Sequence, residues 1–166
     1  MTRALLLLVF ACSGCSAGSA PRHVSQDDGV SFARQDGWSV GRERATLVLT
    51  RPGGSATIAI RTATRENGSQ PRSERNVVPA VSKVLAALPG ARVAGPRALD
   101  SASYPGVGFD VEFAPAGKKG ARYQRRYAVL VGPSRIIHVF ITARAGQFGE
   151  GERAFASIVE TIEEEG

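Results

Sequence analysis

Residues 136–143 read IIHVFITA, and the fold turns on how that run is covered. Ile137, Val139 and Ile141 fall on one face of an extended chain, Ile136 and Phe140 on the other, because successive side chains of a strand point to opposite sides. A run that is apolar on both faces predicts a central strand with material packed above and below it. Immediately before it, Gly132-Pro133-Ser134 turns the chain, so Tyr123 to Val131 is its hairpin partner. Further upstream Val107, Phe109, Val111 and Phe113 alternate with Gly106, Gly108, Asp110 and Glu112, a strand with one apolar face. Pro115 to Gly120 closes that hairpin, with Lys118 and Lys119 at its tip.

The N-terminal half adds further strands. Val30-Ser31-Phe32-Ala33 alternates, Asp36-Gly37 turns the chain, and Trp38-Ser39-Val40 follows. Residues 45–50 (ATLVLT) and 55–64 (SATIAIRTAT) form a hairpin around Arg51-Pro52-Gly53-Gly54. After a polar loop over 65–73 the period becomes helical. Val77, Val81, Val84, Leu85 and Leu88 share one stripe, Asn76 is the expected N-cap, and Pro79 is expected in the first turn. Pro89-Gly90 ends that helix, and residues 91–101 predict a strand interrupted near Gly95-Pro96. Phe155, Ile158, Val159 and Ile162 mark a C-terminal helix. The run Glu163–Glu165 is unfavourable at a helix C-terminus and predicts fraying there. Strands, a helix, more strands and a helix predict an α+β single domain, an antiparallel β-sheet with helices packed on it.

The first residues are not part of that fold. Arg3 precedes the eight-residue apolar run Ala4–Ala11, followed by small residues, which is the layout of an export signal. The run is far short of the roughly 20 residues that a membrane-spanning helix needs. Cleavage after Ala17 or Ala20 is one reading. The favoured one ends a signal peptide at residue 14, because Ser13-Gly14-Cys15 resembles the lipobox of bacterial lipoproteins, although Cys12 stands where an aliphatic residue is usual. The resemblance implies a lipid on Cys15, and stable anchoring takes more than one acyl chain. Cys12 and Cys15 are the only cysteines, so the remainder needs no disulfide. Residues 15–28 are then the anchor and a flexible linker, and 29–166 the domain. The location expected is the bacterial cell envelope, the outer membrane favoured over the inner because Ser16 follows Cys15.

The 166 residues carry a formal charge of +6, with 21 basic residues of which only Lys83, Lys118 and Lys119 are lysines. Six glutamates gather between 150 and 165, which leaves the body before them strongly basic. Export argues against a nucleic-acid partner. An anionic leaflet is the alternative, at about 1 kcal/mol per well-placed cation.

The chain resembles the PsbP-like superfamily, which takes in the photosystem II protein PsbP, nuclear Ran-binding import factors and DcrB-related bacterial lipoproteins. The resemblance rests on Gly37-Trp38-Ser39-Val40, the hairpin after it, the helix Val77–Leu88, and the hairpin Tyr123–Ala143 running into Phe148 and Phe155-Ala156-Ser157-Ile158-Val159. Gln35-Asp36 departs from it where relatives often place a proline. It implies an α/β/α sandwich over about residues 29–164 that binds or helps assemble something larger, with no partner contacts carried over.

Little in the sequence advertises chemistry. His23 lies in the linker. His138 sits mid-strand, where a satisfied core or edge imidazole is the better reading than a general base. No metal-ligand spacing, nucleophile elbow or phosphate loop is present, so no cofactor, no metal and no catalytic residue are expected. Asp110 and Glu112 face Arg122, Arg125 and Arg126 across a hairpin and read as cross-strand ion pairs. Trp38 reads as a core anchor and Asp27-Asp28 as a solvated linker pair. Lys118, Lys119 and Arg122, with Arg65, Arg72 and Arg75, are the candidate basic surface for lipid headgroups or an acidic partner. The expected function is a monomeric, non-enzymatic, lipid-anchored binding or assembly module for an envelope complex. The alternative is a carrier or sensor of a small or lipidic ligand held between sheet and helix.

Overall fold

A computed structural model describes residues 21–64, 74–100, 102–115, 117 and 120–165, the side chains of 74–76 excepted. Among them the order is β1 (Arg22–Ser25), β2 (Val30–Ala33), β3 (Ser39–Glu43), β4 (Thr46–Thr50), β5 (Ala56–Thr64), α1 (Glu74–Ala86), β6 (Arg92–Ala98), β7 (Gly106–Phe113), β8 (Tyr123–Val131), β9 (Arg135–Arg144), α2 (Glu150–Thr161) and β10 (Glu163–Glu164). Seven strands make one sheet in the order β3-β4-β5-β9-β8-β7-β6, and β1-β2-β10 make a small second sheet. Every pairing is antiparallel. The predicted α+β architecture is the one formed.

The run 136–143 lies in β9, the middle strand, but its two faces are not covered alike. Ile137, Val139, Ile141 and Ala143 are fully buried against α2 and against Val30 and Phe32 of β2. On the opposite face Ile136 is buried beneath α1 with Val77, Val81, Leu85 and Phe109. His138, Phe140 and Thr142 on that face are only half-buried. Helix α1 has thirteen residues, about 20 Å of cover at 1.5 Å per residue, and it packs against β6 and β7. The half of the sheet toward β4 and β5 keeps an open face.

Four expectations are corrected. The linker predicted over 15–28 gives way to structure from residue 22, where β1 pairs with β2 from Arg22↔Ala33 to Ser25↔Val30. Asp28 is buried rather than solvated and ion-paired to Arg42, while Asp27 stays exposed. Helix α1 starts at Glu74, so Asn76 lies inside it and Pro79 falls in its second turn; Val84 of the apolar stripe is 68% exposed. The last glutamates do not fray. Glu163 and Glu164 pair with Ser31 and Val30 of β2, and the Glu164 carboxylate accepts hydrogen bonds from the backbone N–H groups of Ser134 and Arg135.

Candidate functional site

The open half of the large sheet forms a trough of about 680 Å³ across β4, β5, β9 and β8. Alternation places Thr57, Ala59 and Arg61 of β5 on this face, beside Phe140 and Thr142 of β9 and Arg125 of β8. The opposite set, Ile58 and Ile60, goes into the core. The trough floor is therefore hydroxyl, aromatic and cationic, while the same strands are aliphatic underneath.

Two arginines dominate it. Arg125 donates from Nε to Thr142 Oγ1 at 2.9 Å and lies over the rings of Phe140 (4.8 Å) and Phe113 (5.3 Å). Arg61 donates from Nε to Thr46 Oγ1 at 2.7 Å. Burial pushes the Arg125 guanidinium below the usual arginine range, and the like charge of Arg61 adds to this against the opposing effect of Tyr127. The next residue, Arg126, points to the other face. There it pairs with Asp110 at 3.0 Å and with Glu152, and Asp110 also pairs with Arg97. The predicted cross-strand pairing thus holds for Asp110 with Arg126, whereas Arg125 stands opposite Val111 and Glu112 opposite Gln124.

Beside the trough, under α1, lies a half-open pocket of about 380 Å³, lined by Val77, Val81, Leu85 and Ile136 with Tyr127 and His138. Exposed Val84 is at its edge. Tyr127 stacks on Phe140 at 5.5 Å between centroids, and its hydroxyl meets His138 Nδ1 at 2.8 Å. Burial pushes the Tyr127 hydroxyl up and the His138 imidazole down, with Arg61 adding to the latter. His138 is a satisfied strand histidine, as expected. Among the described residues no group of three or more His, Cys, Asp or Glu side chains converges to hold a metal.

The depressed His138 has a consequence in pH. The folded protein takes its proton less readily than the unfolded chain, so stability is fully present above the unfolded value of about 6.5 and is lost as pH falls below it. His23, also lowered by burial and by Arg34, adds to the loss. In thermal unfolding between pH 7.5 and 5, His138→Phe should keep the ring contact with Tyr127, lose its hydrogen bond, and flatten the acid-side fall. An unchanged slope would mean His138 is not the titrating group.

Of the basic set, Arg122 is exposed just before β8, and Arg75 lies in the first turn of α1. Lys118, Lys119, Arg65 and Arg72 lie outside the described residues, as do Cys15 and the leader. The chain enters β8 at Tyr123, opposite Arg144, and leaves β5 at Thr64, opposite Arg135. Tyr123 and Thr64 therefore stand at opposite ends of β9, about 30 Å apart at 3.3 Å per residue. Arg61, Arg125, Tyr127 and Phe140 were not singled out from sequence as site residues. Alternation in SATIAIRTAT, YQRRYAVLV and IIHVFITA does place them on one face of their strands. Which face stays uncovered depends on where α1 lands.

No protein-family model matches this sequence, and no curated protein is significantly similar to it. Solved structures do match. A protein of Bacteroides thetaiotaomicron superposes with a TM-score of 0.66 at 10% identity over 89% of this chain, which spans about half (49%) of that protein. LpqN, described as involved in cell envelope biogenesis of Mycobacterium tuberculosis, gives 0.63 at 18% identity, covering 80% of this chain and 81% of its own. The cyanobacterial PsbP of Synechocystis gives 0.59 at 10% identity over 93% of this chain and 97% of that one. The fold is PsbP-like. At these identities the likeness is one of fold. Among the described residues no helix is long and apolar enough to cross a membrane.

Proposed function

We propose that this PsbP-like domain is a lipid-anchored, non-enzymatic binding module of the bacterial cell envelope, which holds a partner on the open half of its seven-stranded sheet. The observation that carries the reading is the trough itself. A central sheet face that could have been closed by a longer helix is instead floored by Thr57, Thr142, Arg61 and Arg125. Exposed faces of this size with mixed polar and aromatic lining suit binding rather than packing. The Ser13-Gly14-Cys15 sequence supports the anchor, and the envelope role of LpqN supports the compartment. The outer membrane is the favoured side. The basic residues Arg65, Arg72, Arg75, Lys118, Lys119 and Arg122 are proposed as surfaces toward acidic partners or anionic headgroups.

A second reading, a carrier of a small or lipidic ligand, is favoured by the apolar pocket under α1. The two readings are separated by purifying the protein from detergent-solubilised membranes. A partner protein near stoichiometry, lost when Thr57→Tyr fills the trough, supports the module. Thr57 is exposed on β5 and an aromatic residue suits a strand, so that variant should fold. Recovery of the protein alone with an organic ligand would favour the carrier. In the same experiment Cys15→Ser should leave the protein out of the membrane fraction; retention there at processed size would remove the anchor.

A further inference from the structure

We infer that Arg61 and Arg125 form the seat of an anionic ligand group, a phosphoryl or a carboxylate, on the open face of the sheet. The inference rests on that face being the binding face and names the chemistry it takes.

Each guanidinium offers five N–H donors in a planar fork suited to a tetrahedral or planar oxyanion. In both residues Nε is committed to a threonine hydroxyl, Thr46 for Arg61 and Thr142 for Arg125. Those bonds fix the plane of the guanidinium, while its terminal nitrogens meet no protein acceptor among the described residues. Stacking on Phe140 and Phe113 holds Arg125 further in place. Such a side chain is pre-organised, so less entropy is lost when it engages a ligand.

The charge pattern points the same way. Among the described residues no carboxylate lies within ion-pair distance of Arg61 or Arg125. Glu43, on the rim of the trough, pairs with neither. Arg22, Arg42, Arg51, Arg97 and Arg126 each hold a carboxylate; other described arginines such as Arg153 also hold none, but only Arg61 and Arg125 combine this with a fixed place on the trough floor. The adjacent residues Arg125 and Arg126 show the difference within one strand. Arg61 and the half-buried Arg125 share the trough with Arg44 and Glu43 at its rim, and neither of the two is ion-paired among the described residues. An oxyanion received between the two would relieve their repulsion through charge-assisted hydrogen bonds. A purely structural role for Arg125, as a clamp on two aromatic rings, accounts for Arg125 but not for Arg61.

The anion could belong to a soluble molecule or to the headgroup of an anionic lipid, and one titration distinguishes them. The full-length protein in nonionic detergent is titrated with inorganic phosphate while the arginine Nε–H resonances are followed. It is then presented to vesicles of phosphatidylglycerol or phosphatidylcholine. Phosphate should move the Nε–H signals of Arg61 and Arg125. Its affinity should fall at least about tenfold in Arg61→Gln and in Arg125→Gln, the loss of a charged hydrogen bond, and stay unchanged in Arg153→Gln, an equal charge loss on the outer face of α2. Arg61 is exposed, so Arg61→Gln remains decisive if Arg125→Gln unfolds. Phosphatidylglycerol binding that phosphate competes away assigns a lipid headgroup; phosphate binding without vesicle binding assigns a soluble anion. Unmoved Nε–H signals, or equal weakening by Arg153→Gln, would overturn the anion seat. If that happens while Thr57→Tyr still loses a partner, the face stands and binds something uncharged.

Discussion

Phe109→Ala should lower the unfolding free energy by about 4 kcal/mol, the range for emptying a buried aromatic site, while Val84→Ala should change it by less than about 0.5 kcal/mol. Phe109 is fully buried in the layer that α1 makes with β7 and β8, beside Val77, Val81 and Leu85. Truncation there removes a ring from water-free packing and leaves a cavity whose walls, strand backbone and one short helix, collapse only in part. Val84 belongs to the same sequence stripe but projects 68% exposed at the edge of the pocket. Alanine there even suits the helix slightly better. Urea unfolding with an unchanged slope checks both. A loss below about 1.5 kcal/mol at Phe109, under the usual range for Phe→Ala, would mean that the α1 layer is not packed as described.

That contrast shows what was legible in the sequence. The order of elements, the two amphipathic helices and the central place of β9 follow from local periodicity, since each depends on residues near one another in the chain. The extent of cover does not. Ile136 and Phe140 look alike in IIHVFITA, yet one lies beneath α1 and the other faces the trough. The difference is set by the thirteen-residue length of α1 and by its docking toward β6 and β7. Arg61 and Arg125 were invisible as a pair for the same reason. They lie 64 residues apart and come to one face only because β9 pairs with both β5 and β8. Of the small sheet, β2 was legible in VSFA, but its partners β1 and β10 were not, because they are short and polar and come from the two ends of the domain. RHVS and EE carry no hydrophobic period.

The second large effect lies where the turn of that small sheet meets the large one. Arg42→Met should cost about 3 kcal/mol, the low end for breaking a buried ion pair, because Arg42 itself is partly exposed. The Asp28 side chain is only 8% exposed. Its carboxylate accepts from both terminal nitrogens of Arg42, at 3.2 and 2.5 Å, and from Ser25 Oγ at 2.5 Å. Its backbone carbonyl accepts from Thr62 Oγ1, and the turn is closed by Gly29 at φ +59°, where a Cβ would strike the Arg135 guanidinium. Asp28 thus ties the β1–β2 turn to β3 and β5. Methionine keeps the aliphatic length of Arg42 and removes its charge, which leaves a buried carboxylate with one hydroxyl for company. The sign of the remedy is the sharper test. If the loss comes from that unpaired charge, Arg42→Met with Asp28→Leu should be more stable than Arg42→Met alone, since an apolar pair needs no desolvated ion. A double variant less stable than the single would show that the carboxylate holds the turn through Ser25 alone. An aspartate in SQDDG reads from sequence as solvated because its partner, fourteen residues on, is brought back to it only by the step from the small sheet to the large one.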